Sequence, residues 1–192
     1  MLLDDLFIKY GTDKGGPWGW GYSPVYEKHL DRDRVKSVLE VGICGFRDIP
    51  NNVVGASLFA WRDYLPEAEV YGVDNDARFI FNDQPRIHTA LCDAYDERSL
   101  ADALHAFRWP QFDFICDDAV HDPLPQIHLC RLLWPMLRPG GVYAIEESCP
   151  YKCPGGTLKP MVDVLLSLYS EMQVTEYQTH KAERLLILEK PL

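Results

Sequence analysis

The stretch "FDFICDDAVH", Phe112 to His121, decides how this chain folds. It begins as a mostly apolar run with the composition of a buried strand. It then ends on two adjacent carboxylates, Asp117 and Asp118, with an imidazole, His121, three residues further on. Neighbouring carboxylates repel one another, and burial raises the cost of their charge. Successive strand residues face opposite sides of a sheet, so the two acids need not point the same way. Something cationic, or something that uses their charge, belongs at this strand end.

Outward from it, the same unit recurs. "KSVLEVG" (36–42), "EVYGVD" (69–74), "RIHTALCD" (86–93), "FDFICDD" (112–118) and "GVYAIEE" (141–147) read as five strands. Between them "VGASLFAWRDYL", "DERSLADALHAF" (capped by Asp96) and "QIHLCRLLWPML" (closed by "RPGG") have helical spacing. After a further helix near 158–170, "MQVTEYQ" and "RLLILEK" read as a terminal antiparallel pair. Strict alternation of strand and helix means an α/β fold: a mostly parallel sheet with helices on both faces and an antiparallel strand at the C-terminal end. No repeat or linker breaks the pattern, so residues 1–192 are expected to form a single domain. Residues 1–30 contain "YGTDKGGPWGWGYSPVYEKHL", whose Gly, Pro and aromatic side chains suit either a lid over a ligand or a surface Ω-loop.

Bulk properties exclude some functions. A net charge of −10 argues against a nucleic-acid-binding face, because phosphate affinity comes largely from Lys and Arg. No apolar run approaches the roughly 18 residues of a membrane span, and no signal-like segment is visible. Cys44, Cys92, Cys116, Cys130, Cys149 and Cys153 form no CxxC pair and read as thiols in a reducing compartment. The expectation is a cytoplasmic protein with no membrane and no nucleic-acid partner; homo-oligomerisation stays open.

In doubly wound sheets, ligands bind beyond the carboxyl ends of the strands. The first strand runs into "GICG", where Gly42 and Gly45 let backbone approach a ligand; the second ends at Asp74 and the third at Asp93. An NAD site would want G-x-G-x-x-G, but Cys44 stands at the middle position. A nucleoside without phosphates, such as S-adenosylmethionine, needs one close glycine turn, an acid for the ribose and an acid or amide for adenine N6. Asp74 and Asp93 fit those roles, although Asp74 could instead only cap a helix.

The chain resembles the macrocin-type O-methyltransferases, metal-dependent class I methyltransferases that modify sugar hydroxyls on macrolides. The resemblance rests on "KYGTDKGG", "GYSPVYEKHL", "VLEVGI", "GASLFAWRDYLPEAEVYGVD", "FDFICDDAVH" and "LLWPMLRPGGVYAIEES", spread over residues 9 to 149. Ala119-Val120 stands where the family usually has Gly-Ser, and Glu146-Glu147 where it commonly has Glu-Asp. The resemblance implies a Rossmann-like class I methyltransferase fold and a hydroxyl-bearing small-molecule acceptor, a sugar or glycosylated natural product. It implies cofactor contacts from Tyr10, Thr12, Glu40, Gly42, Ser57, Asp74, Asp93 and Asp117. It also implies a metal such as Mg²⁺ on Asp118 with Glu147, Glu146 being the alternative ligand, and His121 as general base. A bland reading of His121 is a helix N-terminal residue bonded to Asp118. His29, His88, His105, His128 and His180 have no comparable setting. The competing function is a methyltransferase-fold protein that binds S-adenosylmethionine or a partner without turnover.

Overall fold

Residues 1–44, 53–179 and 184–192 are described in a computed structural model. Gly45 and His180 lie outside the described residues. Seven strands form one sheet in the order β3-β2-β1-β4-β5-β7-β6. They are β1 (Ser37–Val41), β2 (Glu69–Asp74), β3 (Ile87–Leu91), β4 (Phe112–Asp117), β5 (Leu137–Ser148), β6 (Gln173–Gln178) and β7 (Arg184–Glu189). β1 to β5 are mutually parallel. β7 pairs antiparallel with both β5 and β6, so β7 alone runs against the sheet. This is the mostly parallel α/β sheet expected from the alternating pattern and the class I methyltransferase arrangement that the resemblance implies, and chain order reverses between β1 and β4.

The pleat sorts strand residues between two cores. Val38, Phe114, Cys116, Val142 and Ala144 pack under α1 (Leu3–Tyr10), α2 (Ser23–His29) and α3 (Ala56–Tyr64). Leu39, Val41, Ile115, Tyr143 and Ile145 pack under α4 (Glu97–Ala106), α5 (Pro123–Leu133) and α6 (Lys159–Leu168). Period-two alternation therefore sends Glu40 and Glu146 to the α1–α3 face and Asp117 to the α4–α6 face. Five cysteines, Cys92, Cys116, Cys130, Cys149 and Cys153, are buried as thiols. Among the described residues no helix is long and apolar enough to cross a membrane.

Two local readings change. The N-terminal stretch that suggests a loop is one only over residues 11–22, between two helices. Phe7 of α1 and Tyr26 of α2 each meet Trp61 of α3 edge-on, with centroids 5.1 Å apart, so both helices belong to the core. The helix expected over 126–137 instead starts at Pro123, where the Asp122 carboxylate accepts the Leu124 N–H and Pro123 sits at the first position. It stops at Leu133, and Trp134–Met136, with Pro135 at its centre, is a 3₁₀ turn. "RPGG" then belongs to β5, which begins at Leu137 and shifts register against β4 around it.

Candidate active site

The strand ends β1, β2 and β4 open onto a cleft of about 250 Å³ lined by Gly42, Asp74, Asp93, Tyr95, Asp118 and Ala119, among others. Gly42 adopts φ +85°, and a Cβ there would meet the Asp118 carbonyl oxygen at 2.3 Å. Only glycine fits a turn that crosses β4 so closely. Asp74 is nearly buried and is gripped by two backbone donors, Ile43 N at 3.1 Å and Asp76 N at 2.9 Å. Its carboxylate is thus fixed at the cleft wall rather than capping a helix; the adjacent 3₁₀ turn is capped by Asp76. Asp93 lies two residues past β3, exposed, with its carboxylate accepting the Tyr95 N–H at 3.1 Å.

At the Asp118 edge of the cleft the α1–α3 face delivers a cluster of acids. Its centre is Lys14, from the irregular segment after α1, only 1% exposed. Its Nζ lies 2.5 Å from Asp118 Oδ2, 2.6 Å from Glu146 Oε2 and 3.2 Å from Glu40 Oε1. The remaining oxygens are also held. Trp61 Nε1 donates to Glu40 Oε2 at 3.0 Å, Ser57 hydrogen-bonds the same carboxylate, and the Tyr26 hydroxyl donates to Glu146 Oε1. Burial alone would lower the Lys14 pKa, but Asp118, Glu146 and Glu40 outweigh it and hold the ammonium charged. Burial, reinforced by Asp118, pushes Glu146 up to about 8 against the pull of Lys14. Asp118 ends below the usual carboxylate range, because Lys14 and His121 overcome its desolvation.

His121 bridges the outer acids. Its Nε2 stands 3.3 Å from Asp118 Oδ1, and its Nδ1 pairs with Glu147 Oε2. Burial lowers the imidazole pKa, yet these two carboxylates push it up to about 10. Glu147 reaches His121 because its backbone leaves the strand, at φ +49°, within a register irregularity between Ile145 and Ser148. A non-glycine residue in that region is strained, and such strain persists where surrounding contacts enforce it. Here Tyr22 accepts the Glu147 N–H at 3.3 Å, while Gln126 of α5 donates to the Glu146 carbonyl at 2.9 Å. Lys152 donates to the His121 carbonyl at 2.6 Å.

The structure brings together Asp118, Glu146, Glu147, His121 and Glu40, and separately Gly42, Asp74 and Asp93. Others stand apart. Asp117 is fully buried on the opposite face, its Oδ2 without a partner among the described residues and its pKa pushed up to about 8, mainly by desolvation. Tyr10 donates to Asp63 and stacks on Phe59, and Thr12 Oγ1 accepts the Lys14 N–H at 3.4 Å. Lys14 and Tyr26 escape a reading of the chain by pattern. The available signal is the demand for a cation beside Asp117-Asp118, with a lysine inside "GTDKGG". As a metal seat, Asp118 and Glu146 already converge on one cationic atom, while Glu147 is linked to Asp118 through His121. Such oxygens suit a divalent cation like Mg²⁺. Among the described residues no three acid, histidine or cysteine side chains are gathered as a ready metal site, and here Lys14 holds the shared position.

No family model matches the chain. It is 36% identical over 155 residues to the 8-demethyl-8-(2-methoxy-alpha-L-rhamnosyl)-tetracenomycin-C 3'-O-methyltransferase of Streptomyces olivaceus, covering 80% of this chain and 38% of that one. It is 32% identical over 155 residues to the demethylmacrocin O-methyltransferase of Streptomyces fradiae, covering 80% and 38% respectively. The chain spans well under half the length of these curated relatives. The MycE methyltransferase of the mycinamycin biosynthetic pathway, in complex with Mg, SAH and mycinamycin VI, matches over 100% of this chain and 54% of its own. Its TM-score is 0.79 at 25% identity. In sequence and in fold, this chain is a relative of the sugar O-methyltransferases of macrolide and tetracenomycin biosynthesis.

Proposed function

We propose that this chain is an S-adenosylmethionine-dependent O-methyltransferase that methylates a hydroxyl of a sugar or glycosylated small molecule, aided by a divalent cation, with His121 as general base. The observation that carries this reading is the placement of Asp118. It forms one wall of the Gly42–Asp74 cleft and is also a member of the acidic cluster beside His121. Cofactor and acceptor would therefore meet at one residue. A similar methyltransferase solved with Mg, SAH and mycinamycin VI supports the same pairing.

S-Adenosylmethionine carries the methyl group on a sulfonium that leaves as a neutral thioether. Asp74, its orientation fixed by two backbone donors, would accept both ribose hydroxyls. Asp93 would accept the adenine amine, and the Gly42 turn would permit close backbone approach. A divalent cation on Asp118 with Glu146 or Glu147 would supply the Lewis acidity that makes an alcohol a competent nucleophile near neutral pH. With their charge engaged there, Asp118 and Glu147 would hold His121 less firmly as imidazolium, leaving it able to take the acceptor's proton.

A methylation assay with a glycosylated macrolide or polyketide acceptor tests the reading. EDTA should abolish turnover and Mg²⁺ restore it, while AdoHcy affinity measured by calorimetry persists. His121→Ala should lower the rate by roughly 10²–10⁴, the span of a lost general base. Full activity after exhaustive chelation would sink the metal-assisted mechanism. The non-catalytic alternative retains one specific support, the Lys14 ammonium at the point where Asp118 and Glu146 converge. AdoHcy binding with no Mg²⁺ binding and no turnover on any tested acceptor would favour it.

A further inference from the structure

Resting on the metal-assisted reading above, we propose that Lys14 is a positioning residue that competes with the divalent cation, holding Asp118 and Glu146 together until the cation takes its place. Three observations lead there. Lys14 Nζ engages Asp118 Oδ2 and Glu146 Oε2 at 2.5 and 2.6 Å, so these two carboxylates already share one cation. The other oxygens of the pair are committed, Glu146 Oε1 to Tyr26 and Asp118 Oδ1 to His121. A second cation can therefore engage this pair strongly only by drawing oxygens away from the lysine. Lys14 is also a deeply placed group of the irregular segment between α1 and α2, with Trp18 four residues on 91% exposed.

The physical consequence has two sides. Without the ammonium, the buried Glu40 and Glu146 and the partly exposed Asp118 lose their shared partner, so Lys14 keeps the strand ends β1, β4 and β5 assembled before a metal arrives. The same positive charge opposes an incoming divalent ion. Lys14 thus trades tight metal binding for a site that is already built. Exchange of the two cations also links metal occupancy to residues 11–22, because a displaced Lys14 must carry its own backbone segment or swing its side chain out of the cluster.

The test is calorimetric titration of Mg²⁺ into wild type, Lys14→Met and Lys14→Met/Glu40→Gln, alongside thermal unfolding with and without Mg²⁺. Lys14→Met should bind Mg²⁺ about tenfold or more tightly, the effect of removing one unit charge a few ångströms away. Its metal-free form should melt lower than wild type, and Mg²⁺ should raise its midpoint by more. The double variant should recover part of the metal-free loss, since the neutral amide introduced by Glu40→Gln can still accept the Trp61 N–H. Acylation of lysines read by mass spectrometry provides a measurement on the unaltered protein. Lys14 should be among the least reactive amines without metal and should become reactive at saturating Mg²⁺.

Wild type that binds Mg²⁺, with Lys14→Met binding no more tightly or with Lys14 reactivity unchanged by the metal, overturns the proposal and leaves the catalytic reading standing. Mg²⁺ binding by Lys14→Met but not by wild type sinks the metal-assisted reading for the natural chain and, with it, the exchange proposed here. If neither protein binds Mg²⁺, both fall.

Discussion

Asp74 is a carboxylate whose role in the fold is fixed and whose proposed role toward a ligand can be tested separately. Two of its lone pairs are taken by Ile43 N and Asp76 N, which pin the loops after β1 and β2. The remaining acceptor capacity faces the cleft. Replacing Asp74 by Ala should therefore weaken AdoHcy binding by about 1.5–3 kcal/mol, the worth of hydrogen bonds to a charged group. Calorimetry at one ionic strength measures it, and wild-type affinity in that variant would mean the ribose lies elsewhere. Glu147 is the complementary case, a residue whose backbone is bent to deliver its side chain. Its charge contributes to the raised His121 pKa, so Glu147→Gln should bring the imidazole back toward its ordinary value while the amide oxygen still accepts the Nδ1–H. NMR titration of the His121 ring in metal-free protein reads this directly. An unchanged titration would assign the shift to Asp118 alone.

At the level of elements, α5 is the strut that holds the end of β5. Its first turn starts on the Asp122 cap, and Gln126 one turn later grips the Glu146 carbonyl. Asp122→Ala should cost about 0.5–2 kcal/mol, the usual loss for an N-cap, measured by urea unfolding. If unfolding is unaffected, Pro123 alone fixes the start of the helix. That start is encoded in "HDPLP", where an Asp precedes a Pro, although helical spacing points to the later apolar residues. The strand runs match the structure nearly to the residue because buried strands carry continuous apolar runs that few other structures share. β5 was the exception, since "RPGG" resembles a helix stop and its role inside a strand depends on pairing with β4. The choice between Glu146 and Glu147 was illegible for a related reason. Alternation sends Glu146 to the Lys14 side, but a positive φ then turns Glu147 back toward the same site, and no local pattern announces that bend. Lys14 was hidden because its partners lie 26, 104 and 132 positions away in the chain.

For the whole molecule, the buried charges set how stability responds to pH. Asp117 and Glu146 each bind a proton in the folded state up to about pH 8, against ordinary values of 3.8 and 4.5. Both therefore favour the folded form at low pH, and that contribution drains away as pH rises from about 4 to 8. His121, raised from 6.5 to about 10, adds stability that is full below its unfolded value and lost as pH climbs through 10. All three have the same sign, since the native state holds more protons than the unfolded chain across this range. Asp118 has the opposite sign, but its window lies below its ordinary value of 3.8. Metal-free protein should accordingly lose stability steadily between about pH 5.5 and 8.5. A divalent cation held by Asp118 and Glu146, as proposed, would take over the role of protons on Glu146 and His121, so Mg²⁺ should stabilise most at the alkaline end and flatten the profile. Asp117, on the far face of the sheet, should keep its own slope in either state, and Asp117→Asn should remove that part alone. Urea unfolding at three pH values, with EDTA or with saturating Mg²⁺, measures each contribution. A metal-free stability that rises over this range would mean that the acids beside Lys14 are ionised in the folded protein at little cost, and the charge balance drawn for the site would be wrong.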